Sequence, residues 1–373
     1  MRSFSRIAGA AVVGAEAALV DVQVSIASPD EGGEPSFRIV GLPDSALREG
    51  RERIRGAILH GGWGWPWRPL TVNLAPAAAR KQGAALDLPI ALAVLAAEGL
   101  SGSAASLEGV LCMGELTLDG GILPVRGVLA AAEAACRRGL RAAWVPTVNA
   151  DEAAAVEGLH VVAVNTLAEA IGHASGRAPL ARHPSEAWQP APWRGSTSVV
   201  RGQPLAVQAA WIAAAGGHNL LFSGPPGCGK TLLARHVVDL LPSLTRPEAM
   251  EASRMHSIAG LLEGGLLRRR PFRAPHHSVS LAGLVGGGSV PRPGEVSLAH
   301  RGVLFLDELP EFARASLEAL RQPLEDGVIT VARAAGTARF PAEALVVAAC
   351  NPCPCGWHGV PGRCRCTRTA RER

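Results

Sequence analysis

Short apolar runs divided by glycine and proline, with amphipathic stretches between them, set the pattern of this chain. Pro69 to Ala75 and Val110 to Leu118 read as strands, and Asp87 to Ala97 as an apolar helix. A helix from Arg126 to Arg138 and a strand from Ala142 to Val145 follow. Asp44 stands at the N-cap position of an amphipathic helix running to His60, which carries Arg48, Arg51, Arg53 and Arg55. Those arginines suit a solvated helix face or contact with nucleic acid, and the solvated face is the simpler reading. Residues 1–174 therefore alternate strand-like and helix-like segments.

Residues 175–198 lose that periodicity. Pro179, Pro184, Pro190 and Pro192, set among Ser, Trp and Gly, predict an extended linker. From Val199 onward, Asn219 to Phe222, Gly302 to Leu306 and Leu345 to Cys350 are apolar runs of strand length. The first two read as buried strands, and the whole pattern predicts an α/β protein with a parallel sheet in residues 199–366.

The loop after the first of these runs is Gly224-Pro225-Pro226-Gly227-Cys228-Gly229-Lys230-Thr231, a complete G-x-x-x-x-G-K-S/T sequence. Leu232-Leu233-Ala234 then opens a helix, so strand, glycine loop and helix stand in the order a phosphate-binding loop requires. Glycines let backbone N–H groups close around phosphate oxygens, and the helix N-terminus adds its dipole. Lys230 is placed to reach the β- and γ-phosphates of ATP, and the Thr231 hydroxyl to ligate Mg²⁺. The Cys228 side chain is expected to point away from the nucleotide.

Composition narrows the picture. The 373 residues are 48% hydrophobic and 18% charged, with net charge +5, which suits a globular chain and is compatible with nucleic acid without indicating it. No apolar run approaches a membrane span, and the N-terminus has no signal-peptide pattern, so a cytoplasmic location without membrane contact is expected. Lysine occurs only at Lys81 and Lys230; every other basic side chain of the Lys+Arg set is Arg. A position that keeps Lys against such a bias needs a compact ammonium, and Lys230 fits that need.

Two further strand ends carry polar chemistry. Gly302-Val303-Leu304-Phe305-Leu306 delivers Asp307 and Glu308 at its C-terminal edge, where ligands bind in parallel sheets. Asp307 would hold Mg²⁺ and Glu308 would polarise the attacking water. A helix is expected at Glu311 to Leu320. Leu345 to Cys350 ends at Asn351, whose amide could orient that water, although Asn351-Pro352 taken alone reads as a turn.

Loop, Asp-Glu strand and Asn strand in this order resemble an AAA+ ATPase. Longer strings narrow the resemblance: Arg270-Pro271-Phe272-Arg273-Ala274-Pro275-His276-His277-Ser278, then Gly286 to His300, Leu320 to Gly327, and Asn351 to Gly356. They are similar to the YifB/ComM family of magnesium-chelatase-like ATPases. The resemblance implies ATP and Mg²⁺ as cofactors, a hexameric homo-oligomeric ring, and a motor on branched or single-stranded DNA in recombination or natural transformation. It places an adenine-side element at Arg201-Gly202-Gln203, with Ser198 where an acidic residue is usual. It also implies that the glycine-rich insertion faces a central pore, where Arg268, Arg269, Arg270 and Arg273 could meet phosphates. His276 and His277 invite a metal reading, but no third ligand is evident nearby, and a structural or substrate-facing role is preferred.

Gly114 to Val128 and the stretch from Ala131 to Pro146 resemble the C-terminal half of a Lon-type protease domain. The same family carries such a domain at Val40-Gly41-Leu42-Pro43-Asp44 and Thr71-Val72-Asn73-Leu74-Ala75-Pro76. Its Ser nucleophile would fall in Gln82-Gly83-Ala84-Ala85 and its Lys base near Leu129, so neither group is present. Residues 1–174 are expected to be an inactive α+β scaffold for ring assembly or DNA contact. Family members continue with a helical lid bearing an arginine finger. Nothing after Cys366 matches it, and residues 367–373 are expected to be a basic tail in which Arg371 and Arg373 are weak finger candidates. Nucleotide binding is thus expected more firmly than hydrolysis.

Seven of the eight cysteines remain to be placed. Cys112, Cys136 and Cys350 lie in apolar segments and read as core residues. Cys353, Cys355, Cys364 and Cys366 form two C-x-C pairs, and four thiolates suit tetrahedral Zn²⁺. The usual spacing is C-x-x-C, so zinc and a reduced, metal-free loop both stay open. Three functions remain: a DNA motor driven by ATP, a metal-insertion motor of the magnesium-chelatase type, and a nucleotide-binding subunit deficient in hydrolysis.

Overall fold

Val20, Val22, Val24 and Ile26 alternate with Asp21, Gln23 and Ser25, the period of a strand buried on one face. They lie in β2 (Glu16–Ile26), which pairs antiparallel with β1 (Ser3–Val13) in register from Ser3 opposite Ile26 to Val13 opposite Glu16. The computed structural model describes residues 3–28, 34–76, 81, 83–100, 107–185, 187–193, 200–288, 291–333, 336–359 and 361–371. Gln82, Ser198, Val199 and Arg373, named above, lie outside them. Contacts divide the chain into Met1–Ala187 with His256–Leu266, and Trp188–Met255 with Leu267–Arg373.

In the first unit the hairpin is followed by β3 (Phe37–Val40), α1 (Ser45–His60), β4 (Leu70–Ala75), α2 (Asp87–Ala97) and β5 (Val110–Cys112). Then come β6 (Glu115–Leu116), β7 (Ile122–Leu123), α3 (Val128–Arg137), β8 (Ala142–Pro146), α4 (Ala150–Ala154), β9 (His160–Val164) and α5 (Leu167–Ala174). Seven strands form one mixed sheet in the order β3-β4-β2-β1-β5-β8-β9, while β6 and β7 pair separately. The apolar helix α2 is buried from Asp87 to Ala96 and packs with the inward residues of β2 and β4 in one core. Asp44 caps α1 by accepting from Leu47 N–H at 2.9 Å, and its other oxygen accepts from Gly83 N–H at 3.0 Å.

The arginines of α1 are used within the unit. Arg48 and Arg51 bond backbone carbonyls, and Arg55 lies 4.9 Å over the Trp67 ring. Arg53 Nε meets Asp87 Oδ2 at 2.7 Å, and the Asp87 side chain is wholly buried. Its Oδ1 has no hydrogen-bond partner among the described residues. Burial outweighs the Arg53 bond and pushes the Asp87 carboxyl up to about 6. An acid raised in the folded state favours folding below its unfolded pKa and loses that contribution as pH rises through the folded one. Stability should therefore fall by on the order of 3 kcal/mol between about pH 4 and pH 6 from this group. Urea unfolding across that range checks it: Asp87→Asn should flatten the profile relative to the parent, and parallel profiles would refute the assignment.

The second unit begins with residues 188–193, read from sequence as linker. They run without helix or strand, tied by Trp188 Nε1 to the Leu267 carbonyl (3.3 Å) and by Ala191 N–H to the Arg268 carbonyl (2.9 Å). After them come α6 (Pro204–Gly216), β10 (Leu220–Ser223), α7 (Lys230–Leu240), α8 (Arg246–Ala259), β11 (Phe272–Arg273), α9 (Leu281–Val285), α10 (Glu295–Leu298) and β12 (Val303–Leu306). The last turn of α8 belongs by contacts to the first unit. Short helices α11 (Arg314–Ala319) and α12 (Arg321–Asp326), the hairpin β13 (Val328–Arg333) and β14 (Gly336–Pro341), β15 (Leu345–Cys350) and α13 (Arg368–Arg371) complete it.

Its parallel sheet has the order β10-β15-β12-β11. β12 is buried throughout, as its unbroken apolar run predicts. β10 is not: it pairs with β15 on one side only among the described strands, and Leu221 is 55% exposed. Among the described residues no helix is long and apolar enough to cross a membrane.

Candidate functional site

The strand order sets three loops side by side. β15 lies between β10 and β12, so the C-terminal ends of all three open on one crevice. From β10 comes the glycine loop, from β15 Asn351, and from β12 Asp307 and Glu308. These residues line a cavity of about 440 Å³ together with Pro226, Gly227, Cys228, Gly229, Lys230, Thr231, Leu232 and Cys350. Gly224 and Pro225 stand just before it, and Gly224 N–H bonds the Cys350 carbonyl at 3.3 Å.

Gly227 and Gly229 have φ of +77° and +86°, the left-handed region that lets the loop curl back before α7 begins at Lys230. The Lys230 ammonium donates to the carbonyls of Gly224 (2.8 Å) and Pro225 (3.1 Å) and to Asn351 Oδ1 (3.1 Å). A longer contact runs to Cys228 Sγ at 4.0 Å, so the three N–H donors of the ammonium are shared among these acceptors. Thr231 Oγ1 donates to Asp307 Oδ2 at 3.2 Å, and Glu308 N–H donates to Asp307 Oδ1 at 2.9 Å. A hydroxyl and a carboxylate in contact are hard oxygen donors of the kind Mg²⁺ takes, so the pair fits that ion. The Cys228 Sγ turns toward Gly224, where an added Cβ would meet it at 2.9 Å. The Gln203 amide donates to the Cys228 carbonyl, which brings the Gly-Gln element onto the loop backbone.

Glu308 adopts φ +53°, unusual for a residue with a side chain, and its carboxylate is half exposed at the cavity rim. Its Oε2 lies 3.2 Å from Nδ1 of His277, a contact the sequence did not signal. The ring is a donor there in its Nδ1–H tautomer or as imidazolium, and then restrains the carboxylate. The His276 ring lies tilted by 35° against His277 with centroids 4.0 Å apart, and its Nδ1 bonds Ser278 Oγ at 2.8 Å. No metal-ligand group of three or more side chains forms around this pair among the described residues. In the same insertion Arg270 pairs with Glu248 (3.2 Å) and Arg273 with Glu295 (2.6 Å). Both guanidinium groups are thus engaged internally.

Cys353, Cys355, Cys364 and Cys366 converge, their four sulfurs all within 4.8 Å of one another. Cys112 is buried in the first unit's core, where the apolar surroundings push its thiol well above the usual range. Cys136, also expected in the core, is instead exposed at the end of α3, and Cys350 is only part-buried.

A family model described as magnesium chelatase, subunit ChlI, matches residues 196–373, and one described as subunit ChlI of Mg-chelatase matches residues 22–149. An uncharacterized protein of Mycobacterium tuberculosis is 45% identical over 374 residues, covering 100% of this chain and 73% of that protein. The uncharacterized protein YifB of Escherichia coli is 41% identical, covering 99% of this chain and 72% of the relative. The competence protein ComM of Haemophilus influenzae is 42% identical over 355 residues, covering 93% and 68%. With both halves matched and the identity carried along nearly its whole length, the chain belongs to the YifB/ComM family of magnesium-chelatase-like proteins.

Proposed function

We propose that this chain binds and hydrolyses ATP as an AAA+ type ATPase and uses the energy to act on DNA. The observation that carries the reading is the meeting of Lys230 with Asn351 and of Thr231 with Asp307 around one cavity, with Glu308 at its rim. In it, the glycine loop and Lys230 receive the phosphates and Thr231 and Asp307 hold Mg²⁺, which neutralises charge on the transferred phosphoryl group. Glu308 takes the proton of the attacking water, and Asn351 orients that water. Residues 199–366 form the ATPase core in this reading. Residues 1–174 form a Lon-protease-like scaffold without protease chemistry, supported by Leu129, which is aliphatic and wholly buried in α3.

DNA as the partner, in a ring of identical subunits, is supported by the name of the Haemophilus influenzae relative, a competence protein. A magnesium-chelatase type of metal-insertion motor is the second reading, supported by the descriptions of the two family models. ATP turnover measured with and without branched DNA separates them. Stimulation of at least about fivefold, a barrier change near 1 kcal/mol, is expected for the DNA motor. Turnover indifferent to branched and single-stranded DNA would reject that partner. Tight ATP binding with no turnover would instead support a hydrolysis-deficient subunit.

A further inference from the structure

The four-cysteine cluster begins two residues after Asn351, and its geometry is that of a metal site. Cys353 Sγ lies 3.4 Å from Cys355 Sγ and 3.9 Å from Cys364 Sγ, and Cys355 Sγ lies 3.8 Å from Cys364 Sγ. A tetrahedron of thiolates around Zn²⁺, with Zn–S near 2.3 Å, has edges of about 3.8 Å. A disulfide would bring two sulfurs to about 2 Å, and none of the four cysteines is in a disulfide. Four sulfur ligands select zinc over the hard cations that suit Thr231 and Asp307. Among the described residues this is the one group of three or more His, Cys, Asp or Glu side chains whose ligand atoms converge in this way.

The same segment touches the glycine loop at three points. Gly224 N–H donates to the Cys350 carbonyl at 3.3 Å, and Lys230 donates to Asn351 at 3.1 Å. Between the two C-x-C pairs, Gly356 turns back at φ +78°, its N–H bonded to the Cys353 carbonyl at 2.8 Å. It lies so close to the glycine loop that a Cβ there would stand 2.6 Å from Pro226 Cδ. Arg363 over the Trp357 ring, at 4.6 Å, closes the loop on itself.

We propose that Cys353, Cys355, Cys364 and Cys366 bind Zn²⁺ and that the zinc loop braces the glycine loop from outside, making nucleotide affinity depend on metal occupancy. The coupling rests on reading the cavity as an ATP site. The described residues from Asn351 to Cys366 form no helix or strand, so without the ion little regular structure holds Gly356 against Pro226 or Asn351 against Lys230. Metal binding then supplies the ordering energy of the loop.

The test uses the full chain purified without chelator, with elemental analysis for zinc and titration with Mg·ATP. About one zinc per chain is expected. Stripping it with a chelator should weaken Mg·ATP binding about tenfold or more, and adding Zn²⁺ back should restore it. Cys364→Ser with Cys366→Ser should lose zinc and affinity together. Gly356→Ala should keep zinc yet weaken Mg·ATP binding, because it pushes the braced loop away from Pro226. Less than about half an equivalent of zinc overturns the metal site. One zinc per chain with unchanged affinity after stripping and in Gly356→Ala overturns the brace. A zinc-loaded parent that binds no Mg·ATP faults the ATP reading instead, and the zinc count still decides the metal site.

Discussion

Glu308→Gln should bind Mg·ATP as the parent does and lose hydrolysis by about two to four orders of magnitude, the usual weight of a positioned general base. The amide matches the carboxylate in shape and can still meet His277, but it cannot take a proton from water. The backbone argues for a functional position. Glu308 holds φ +53° directly after the buried strand β12, and its carboxylate is 54% exposed at the cavity instead of packed. Steady-state phosphate release and Mg·ATP titration on the same preparations check it. Turnover within threefold of an active parent would remove Glu308 from the chemistry.

Lys230→Arg should weaken Mg·ATP binding by about 10- to 100-fold while leaving thermal unfolding close to that of the parent. Hydrogen bonds to a charged group are worth roughly 1.5–3 kcal/mol, and this substitution keeps the charge while losing their geometry. The ammonium reaches two loop carbonyls and Asn351 from one tetrahedral nitrogen. A planar guanidinium is larger and cannot point its donors at three such acceptors. The chain uses arginine at every basic Lys+Arg position except Lys81 and Lys230, so retention of lysine here follows chemistry and not composition. Equal affinity of parent and variant in a nucleotide titration would show that the ammonium does not define the site.

Much of the fold was legible where one local cause settles an element. Asp44 does cap α1, and the apolar run from Asp87 to Ala97 is α2 to the residue. Leu345 to Cys350 is β15. The hairpin of β1 and β2 is not among the expected elements, although Val20 to Ile26 alternates with the period of a strand. Val110 to Leu118, expected as one strand, is two, because Gly114 N–H leaves the ladder for the Ala85 carbonyl. The helix expected at Glu311 to Leu320 is a 3₁₀ turn at Leu309–Glu311 and then α11. Pro310 suits the first turn, and the extended Phe312 interrupts it. β10 was expected to be buried because its residues are apolar, but burial depends on neighbours, and β15 covers only one of its edges among the described strands.

The site divides in the same manner. The glycine loop announces itself by spacing, since phosphate binding requires backbone N–H groups, glycine φ values and a lysine within one short segment. Asp307, Glu308 and Asn351 were legible as strand ends. No local pattern shows that β15 lies between β10 and β12, which is what brings Asn351 to Lys230 and Asp307 to Thr231. The contact of His277 with Glu308, and that of Gly356 with Pro226, likewise join segments distant in the chain. By itself, then, the sequence determined which chemistry each loop could carry, because phosphate, Mg²⁺ and thiolate ligation depend on residue type and short spacing. Tertiary structure decided which loops share a cavity and which arginines are already paired. Strand order and long-range packing place side chains to within a hydrogen bond, and those are properties of the whole sheet.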